Sequence, residues 1–270
     1  MKRHTRLAVT VLALAAFFTL VWRFDPSGHV FNLPGLLVVL VGVYLATALG
    51  QSFGSVWTLV CKLPEKLAPG RVDADDEVDI ELFLKACEFH RQSNVKYAEL
   101  ALRRIGNPFL KSGAQLVLDR TPIADIQRVM DWSIGAQRER DHTEIQVFQT
   151  MMGYAPAFGM VGTLFGLIAM LYGLEMNNLR RLGADMGFAM LTTVYGLLLA
   201  NLILKPVVTR LELRSRERLA WLHAQQEMVM MMHEQCHPKL IREHLAAFRN
   251  QADAPEREPE PRLLEAGSHS

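Results

Sequence analysis

Three threonines and a tyrosine stand inside stretches built mostly from apolar side chains. Thr163 lies in the run Tyr154–Leu171, YAPAFGMVGTLFGLIAML, and Thr192, Thr193 and Tyr195 lie in Met186–Pro206, MGFAMLTTVYGLLLANLILKP. Each run is long enough to cross a bilayer as a helix, which takes roughly 20 residues. At that depth a hydroxyl must find a hydrogen-bond partner or a wet cavity, so these four could line a polar path at a helix–helix seam. Small residues share the runs. Gly159–Thr163 and Gly162–Gly166 are spaced by four in the first, as are Thr192–Gly196–Ala200 in the second. Such stripes put a smooth face on a helix and let backbones approach closely. Two ordinary packed membrane helices would explain the stripes alone; the hydroxyls favour the path. A titrating group is missing, however. No Asp, Glu, Lys, Arg or His lies well inside an apolar run, and Glu175 and Asp185 sit at the outer ends. A hydroxyl, whose pKa is far above 7, cannot hold a proton in transit. Any carrier for an ion must therefore come from another chain.

The elements that must position these residues follow from the segregation of the composition. Half of the chain, 50%, is hydrophobic, and it gathers in four runs: Leu7–Trp22, Leu33–Trp57, Met151–Leu174 and Met186–Val208. We read an all-α integral membrane protein with four transmembrane helices, at 7–23, 33–57, 150–174 and 184–208. The first is short: its residues rise ~24 Å against a hydrocarbon core of ~30 Å, a gap that Arg6 and Arg23 can close by snorkelling. A cleaved leader is the competing reading for it, but no small-x-small site follows. Basic residues cluster in 1–6, in 58–149 and after 208, which places those regions in the cytoplasm and the loops 24–32 and 175–183 outside. The net charge of +1 gives no pull toward nucleic acid. Cys61, Cys87 and Cys236 fall on the cytoplasmic side and are expected as free thiols. His233-Glu-Gln-Cys-His237 lacks a fourth ligand at a recognised spacing, so no metal is expected.

The cytoplasmic part reads as helical throughout. The apolar spacing predicts an amphipathic helix over Val78–Arg104, ended by Gly106-Asn107-Pro108, and a shorter one over Phe109–Asp119. Thr121 is the expected N-cap and Pro122 the first residue of the next helix. No breaker follows until Gly153, so that helix is expected to run through Gln149 into the third membrane span. The fourth span likewise continues past Pro206 as far as Pro238; Lys239–Arg249 adds a short helix within 209–250. The Pro/Glu-rich tail, 251–270, is expected to be disordered. There is no strand pattern, no phosphate loop and no catalytic constellation of Ser, His and Asp or of paired carboxylates. The chain is not expected to be an enzyme or to carry a cofactor.

The order PAFGMVGTLFGL, a Gly183-initiated helix with MLTTVYG, then LAN and Pro206, resembles the MotA family, the ion-conducting subunits of flagellar stators, within the wider MotA/TolQ/ExbB group. That resemblance implies a coupling ion, H+ or Na+, and a MotB-type partner with one membrane helix, an essential membrane Asp and a peptidoglycan-binding domain. It implies a homopentamer around two such partners in the bacterial inner membrane. Thr163, Thr192 and Thr193, with Tyr195, would line the path; Gly159, Gly162, Gly166 and Gly196 would give close packing. Pro156 and Pro206 match the family's paired prolines, tied to coupling ion passage to the cytoplasmic domain. Arg91 and Glu99, eight residues apart and expected on one helix face, match its charge pair for a FliG-type rotor protein. The chain departs from the family pattern at Asn94, Arg120, Asp185 and Phe188, and at Val43, where paired glycines are usual. A TolQ/ExbB-type energiser of another envelope process shares the core helices, but it normally has three spans. A non-conducting scaffold is the reading from a different class.

Overall fold

Local sequence rules account for most helix ends in the computed structural model, which describes residues 19, 32–51, 53–67, 73–173 and 179–253. No strand occurs among the described residues. The expected first span, the loop 24–32 except Asn32, residues 174–178 and the tail beyond Asp253 lie outside them, with Thr19 alone described in the first span. The helices are α1 (Leu33–Gly50), α2 (Phe53–Leu67), α3 (Asp73–Arg91), α4 (Val95–Leu102), α5 (Pro108–Leu118), α6 (Ile123–Gly173), α7 (Leu179–Leu198), α8 (Lys205–His233) and α9 (Pro238–Asp253). A π-helical turn, Leu199–Leu204, joins α7 to α8. Among the described residues three stretches are long and apolar enough to cross a membrane: Leu33–Gly50, one within Ile123–Gly173 and one within Leu182–His233. The chain is thus an all-α membrane protein whose third and fourth long helices continue well beyond their apolar parts.

Two compact units divide the chain, one within Met1–Ala68 and His142–Glu212, the other within Pro69–Asp141 and Leu213–Ser270. In the first, Asn32 caps α1 by accepting from the Gly35 N–H at 3.2 Å. The run expected as one span over 33–57 is two helices. Gln51 is extended, with φ −139° and ψ 160°, after Gly50 ends α1. Val39 and Val43 of α1 pack with Ala155, Ala200 and Leu204, and the Phe158 ring lies directly on Gly42. The fourth long helix begins at Leu179, earlier than Gly183, because Leu179-Arg-Arg-Leu contains no breaker.

The second unit is closed by one repeated device. Ser93, Arg120 and Gln235 have φ of 62°, 58° and 54°. At each, two N–H groups turn back to the preceding helix: Asn94 to the Phe89 carbonyl and Ser93 to that of His90; Thr121 to Leu116 and Arg120 to Val117; Cys236 to Met231 and Gln235 to Met232, all at 2.9–3.1 Å. This is the Schellman closure, whose left-handed residue is usually glycine. The first of these turns splits the helix expected over Val78–Arg104 into α3 and α4. Pro122 accepts from Asp125 and Ile126, so Pro122 caps α6 where Thr121 was expected to. Asn107 caps α5, accepting from Phe109 and Leu110, and the Asp79 carboxylate holds the N–H groups of Gly106 and Asn107 at 2.9 and 2.7 Å. Phe83, Leu102, Leu110, Ile126, Met228, Met232 and Ile241 form one core. Ion pairs from Arg242 to Glu81 and Arg249 to Glu77 hold α9 across α3. The expected helix Lys239–Arg249 is longer, and 251–253, assigned to the tail, are helical.

Candidate functional site

The first unit brings the small-residue stripes of α6 and α7 against each other with no space between backbones. A Cβ added at Gly196 would stand 2.5 Å from the Ala155 carbonyl oxygen and 3.1 Å from the Gly159 Cα. At Gly159 it would meet the Thr192 carbonyl at 3.0 Å and the Thr193 Cα at 3.2 Å. At Gly166 it would lie 2.7 Å from the Ala189 Cβ, and at Gly162 2.6 Å from the Thr192 Cβ. All four expected packing glycines therefore sit on one seam, and each is there because nothing larger fits. Ala155 and Ala189, which complete it, were missed in the sequence; their spacing of four from Gly159 and Thr193 was the available signal.

The hydroxyls divide into three environments. Thr192 is fully buried, its hydroxyl donating to the Ala189 carbonyl at 2.8 Å. Its methyl faces Gly35 on α1, 3.1 Å from where a Cβ would be. Within one chain it is thus a packing residue among three helices, closed to any second chain in this arrangement. Tyr195 reaches back to the start of α1, where its hydroxyl accepts from the Asn32 N–H at 2.8 Å. That tether is absent from sequence patterning because 163 residues separate the two. Thr163 and Thr193 are half-buried. The Thr163 hydroxyl donates to Met160 at 2.6 Å, and the Thr193 hydroxyl lies 3.5 Å from the Gly159 carbonyl across the seam. Each of these bonds uses the donor and leaves oxygen lone pairs for a further partner.

The prolines sit in unequal settings. Pro156 is inside α6, which stays α-helical through it. Pro206 follows the π-helical turn, and the Lys205 N–H reaches back five residues to the Ala200 carbonyl. Proline cannot donate, and its ring crowds the carbonyl four residues earlier; the widened turn relieves that crowding. The charge pair is different from its expected form. Arg91 ends α3 and Glu99 lies in α4, on the far side of the turn at Ser93, so no continuous helix face carries both. Arg91 is exposed, while Glu99 pairs with Arg103 at 3.1 Å. Among the described residues no group of His, Cys, Asp or Glu is arranged to hold a metal.

Along the apolar parts of α1, α6 and α7 the one Asp, Glu, Lys, Arg or His is Asp185, near the start of α7, with its carboxylate close to Gly173 at the end of α6. The seam can pack, donate and accept hydrogen bonds, and line a path. It cannot relay a proton by itself.

A family model described as the MotA/TolQ/ExbB proton channel family matches residues 101–223. An uncharacterised protein, YtxD, of Bacillus subtilis is 32% identical over 69% of this chain and 69% of its own length. Motility protein A of Borreliella burgdorferi is 32% identical over 63% of this chain and 64% of its own. The flagellar MotAB stator complex of Bacillus subtilis contains a chain of similar fold, with a TM-score of 0.76 at 20% identity, covering 93% of this chain and all of that one. By sequence over most of its length, and in agreement with the fold, this chain belongs to the MotA/TolQ/ExbB proton channel family, a family of channel subunits and not of enzymes.

Proposed function

We propose that the chain is a stator subunit of the motility A kind, coupling the flow of H+ or Na+ across the bacterial inner membrane to torque on a flagellar rotor. One observation carries this reading beyond family membership. The α6–α7 seam has no room for a side chain at its four glycines, is flanked by two hydroxyls with unused lone pairs, and has no acid along its length except Asp185 at the end beside Gly173. Such a wall needs an acid from elsewhere. A second protein with one membrane helix bearing an Asp, and a peptidoglycan-binding domain to anchor it, supplies the acid. Five copies of this chain surround two of that partner.

In this assembly Thr163 and Thr193 face the partner's carboxylate and solvate the ion it carries. Thr192 and Tyr195 hold α1, α6 and α7 in register. Protonation or cation binding at the carboxylate changes its charge, and so changes what α7 packs against. The widened turn before Pro206 is the place on α7–α8 where a small shift costs least, because its hydrogen bonds are already the longer-range π type. Movement there passes into α8. Pro156 allows α6 to follow.

The test is co-purification with the partner followed by ion flux in vesicles. The pair is expected to conduct and the single chain to be silent. Brisk flux through the single chain, or a partner with neither the membrane Asp nor the anchoring domain, would end the reading. Thr193→Val is expected to cut flux through the pair at least tenfold while leaving co-purification intact, an outcome that a non-conducting scaffold would not produce. A protease accessible only from the cytoplasm is expected to cleave the N-terminus, as an even number of spans before the second unit's first segment requires; a TolQ/ExbB-type energiser places it outside.

A further inference from the structure

Two polar pairs join α6 to α8 within the second unit, and they are unequal. Gln226 of α8 donates to the Asp131 carboxylate of α6 at 2.6 Å. Further along α6, Asp141 takes the Arg218 guanidinium at 3.3 Å, on one oxygen only. The same oxygen, Oδ1, also accepts from the Gln137 amide at 2.8 Å. The other, Oδ2, is buried without a partner. A carboxylate removed from water is costly unless its lone pairs are met, and Asp141 is only 9% exposed. A guanidinium can meet both oxygens at once through its planar fork, with bonds of about 2.7–2.9 Å. The Arg218 side chain, 58% exposed, makes one longer bond instead. The following turns of α8 show the same shortfall. Trp221 Nε1 and Gln225 Oε1, one and two turns beyond Arg218, are also buried without partners. Among the described residues, three of the four such atoms therefore belong to Asp141 and to this stretch of α8. Folded proteins leave few buried polar atoms unmet, so a group of them marks a local arrangement that is not the only one available.

We propose that Asp141 and Arg218 form a two-position clasp between α6 and α8. In the position seen here the clasp is open, with one bond made. A short slide of α8 along α6 brings the guanidinium fork onto both carboxylate oxygens and closes it. Packed helices shear by small slides of this kind. Asp131 is exposed, so its bond to Gln226 can follow the slide by side-chain rotation. The inference rests on the stator reading for what drives the movement. α8 runs unbroken from Lys205, just after the widened turn, to His233, so a displacement begun at that turn arrives at Arg218. The closed clasp locks the two helices together while torque is delivered, and the open one lets α8 return. Arg218 acts through α8 and not on the ion, which makes it a positioning residue.

The experiment uses the full chain assembled with its single-span partner, in detergent for Tm, in vesicles for ion flux and in cells for the torque on a tethered rotor. Arg218→Lys keeps the charge and loses the fork. It is expected to leave Tm and flux unchanged, because an ammonium can make the single bond of the open clasp, and to cut torque at least threefold. A lowered Tm or native torque in Arg218→Lys overturns the clasp. Arg218→Gln leaves Asp141 buried and unpaired; it is expected to lower the Tm of the second unit by roughly 2–4 °C and to abolish torque. Asp141→Asn combined with Arg218→Gln removes both charges and is expected to recover Tm and not torque. A pair that served only to hold the fold would recover both, and that result also overturns the clasp. If the native assembly conducts no ions, the stator reading fails, and the Tm of Arg218→Lys still decides whether the clasp is open at rest.

Discussion

At the α6–α7 seam the closest approaches are backbone to backbone; in the second unit they are side chain to side chain. Gly196 and Gly159 touch the facing main chain, while Leu164, Phe165 and Ile168, the large apolar residues of the same helix, point outward and are exposed. In the second unit Phe83, Leu110, Met228 and Ile241 point inward and are buried. The difference follows from the solvent. Lipid rewards no burial of apolar surface, so helices there associate through close fit of small residues. Water rewards it at roughly 25 cal/mol per Å2, so the second unit buries its largest side chains. The same chain is therefore fragile in two opposite ways: one region cannot gain atoms and the other cannot lose them.

The largest expected effect breaks the first half of that comparison. Gly196→Val adds a branched side chain where even a Cβ would meet the Ala155 carbonyl at 2.5 Å. Main chain cannot yield as a flexible side chain can, so α7 must part from α6. Assembly with the membrane partner and ion flux in vesicles are both expected to be lost. Gly187→Ala is the control on the same helix, with nothing within 4 Å of the added carbon, and is expected to conduct normally. Equal damage from both would show that the seam is not special.

The second half breaks by deletion. Phe83→Ala opens a cavity in a fully buried position and is expected to cost the second unit about 3–5 kcal/mol. Thermal unfolding checks this, and Cys87 provides a local probe. Burial pushes its thiol far above its ordinary range, so maleimide should reach it only when the core opens. Labelling is expected to be slow in the native chain and rapid in Phe83→Ala, while exposed Cys61 is labelled alike in both.

How well the sequence announces each region follows from what holds it. The seam was legible because its contacts depend on small residues repeating every four, a pattern on one strand of text. The burial of Thr192 was not, because it is set by Gly35 on α1 and Gly162 on α6, two other stretches, the first more than a hundred residues away. The acidic start, the apolar spacing and the Gly106-Asn107-Pro108 stop of the region around Arg91 and Glu99 were all visible, yet the break between them was read through. Ser93 closes α3 in a conformation that usually signals itself with glycine, and here nothing but the polar triplet Gln92-Ser93-Asn94 marks it. The division at Gln51 was hidden for a related reason: Gly50 sits inside an apolar run that continues to Trp57 on hydropathy alone. The widened turn at Leu199–Leu204 was foreshadowed only by Pro206, since proline signals a disturbed helix without saying which way the helix will yield.

The closing turns give a smaller effect of opposite sign. Ser93→Gly and Gln235→Gly each relieve a left-handed side chain and are expected to stabilise the second unit by about 1 kcal/mol, read as a rise in Tm. They sharpen the comparison, since adding glycine helps where a turn wants it, whereas removing glycine harms the seam. Arg120→Gly is expected to give the same rise.

The smallest effect separates the regions by charge. His90 lies in the second unit, and burial, His233 and Arg120 lower its pKa from 6.5. An unfolded chain therefore binds a proton at His90 more readily than the folded one does, and stability rises with pH through that range. The contribution is fully present above about pH 6.5 and is lost as the pH falls through the lower, folded value. The ring is partly exposed, so solvent screening keeps the effect modest. Replacing it with a neutral side chain that cannot titrate, His90→Gln, isolates it from the carboxylates, which titrate in both proteins. The Tm difference between native and His90→Gln is expected to be constant from pH 8 to 7 and to move against the native chain from pH 6.5 downward. The apolar lengths of α1 and α6 hold no Asp, Glu, Lys, Arg or His, and α7 holds no histidine, with Arg180, Arg181 and Asp185 near its start, so no such shift is expected in the transition of the seam. A shift of equal size there would mean that the two units unfold as one, and the contrast between them would then be one of packing without being one of independent stability.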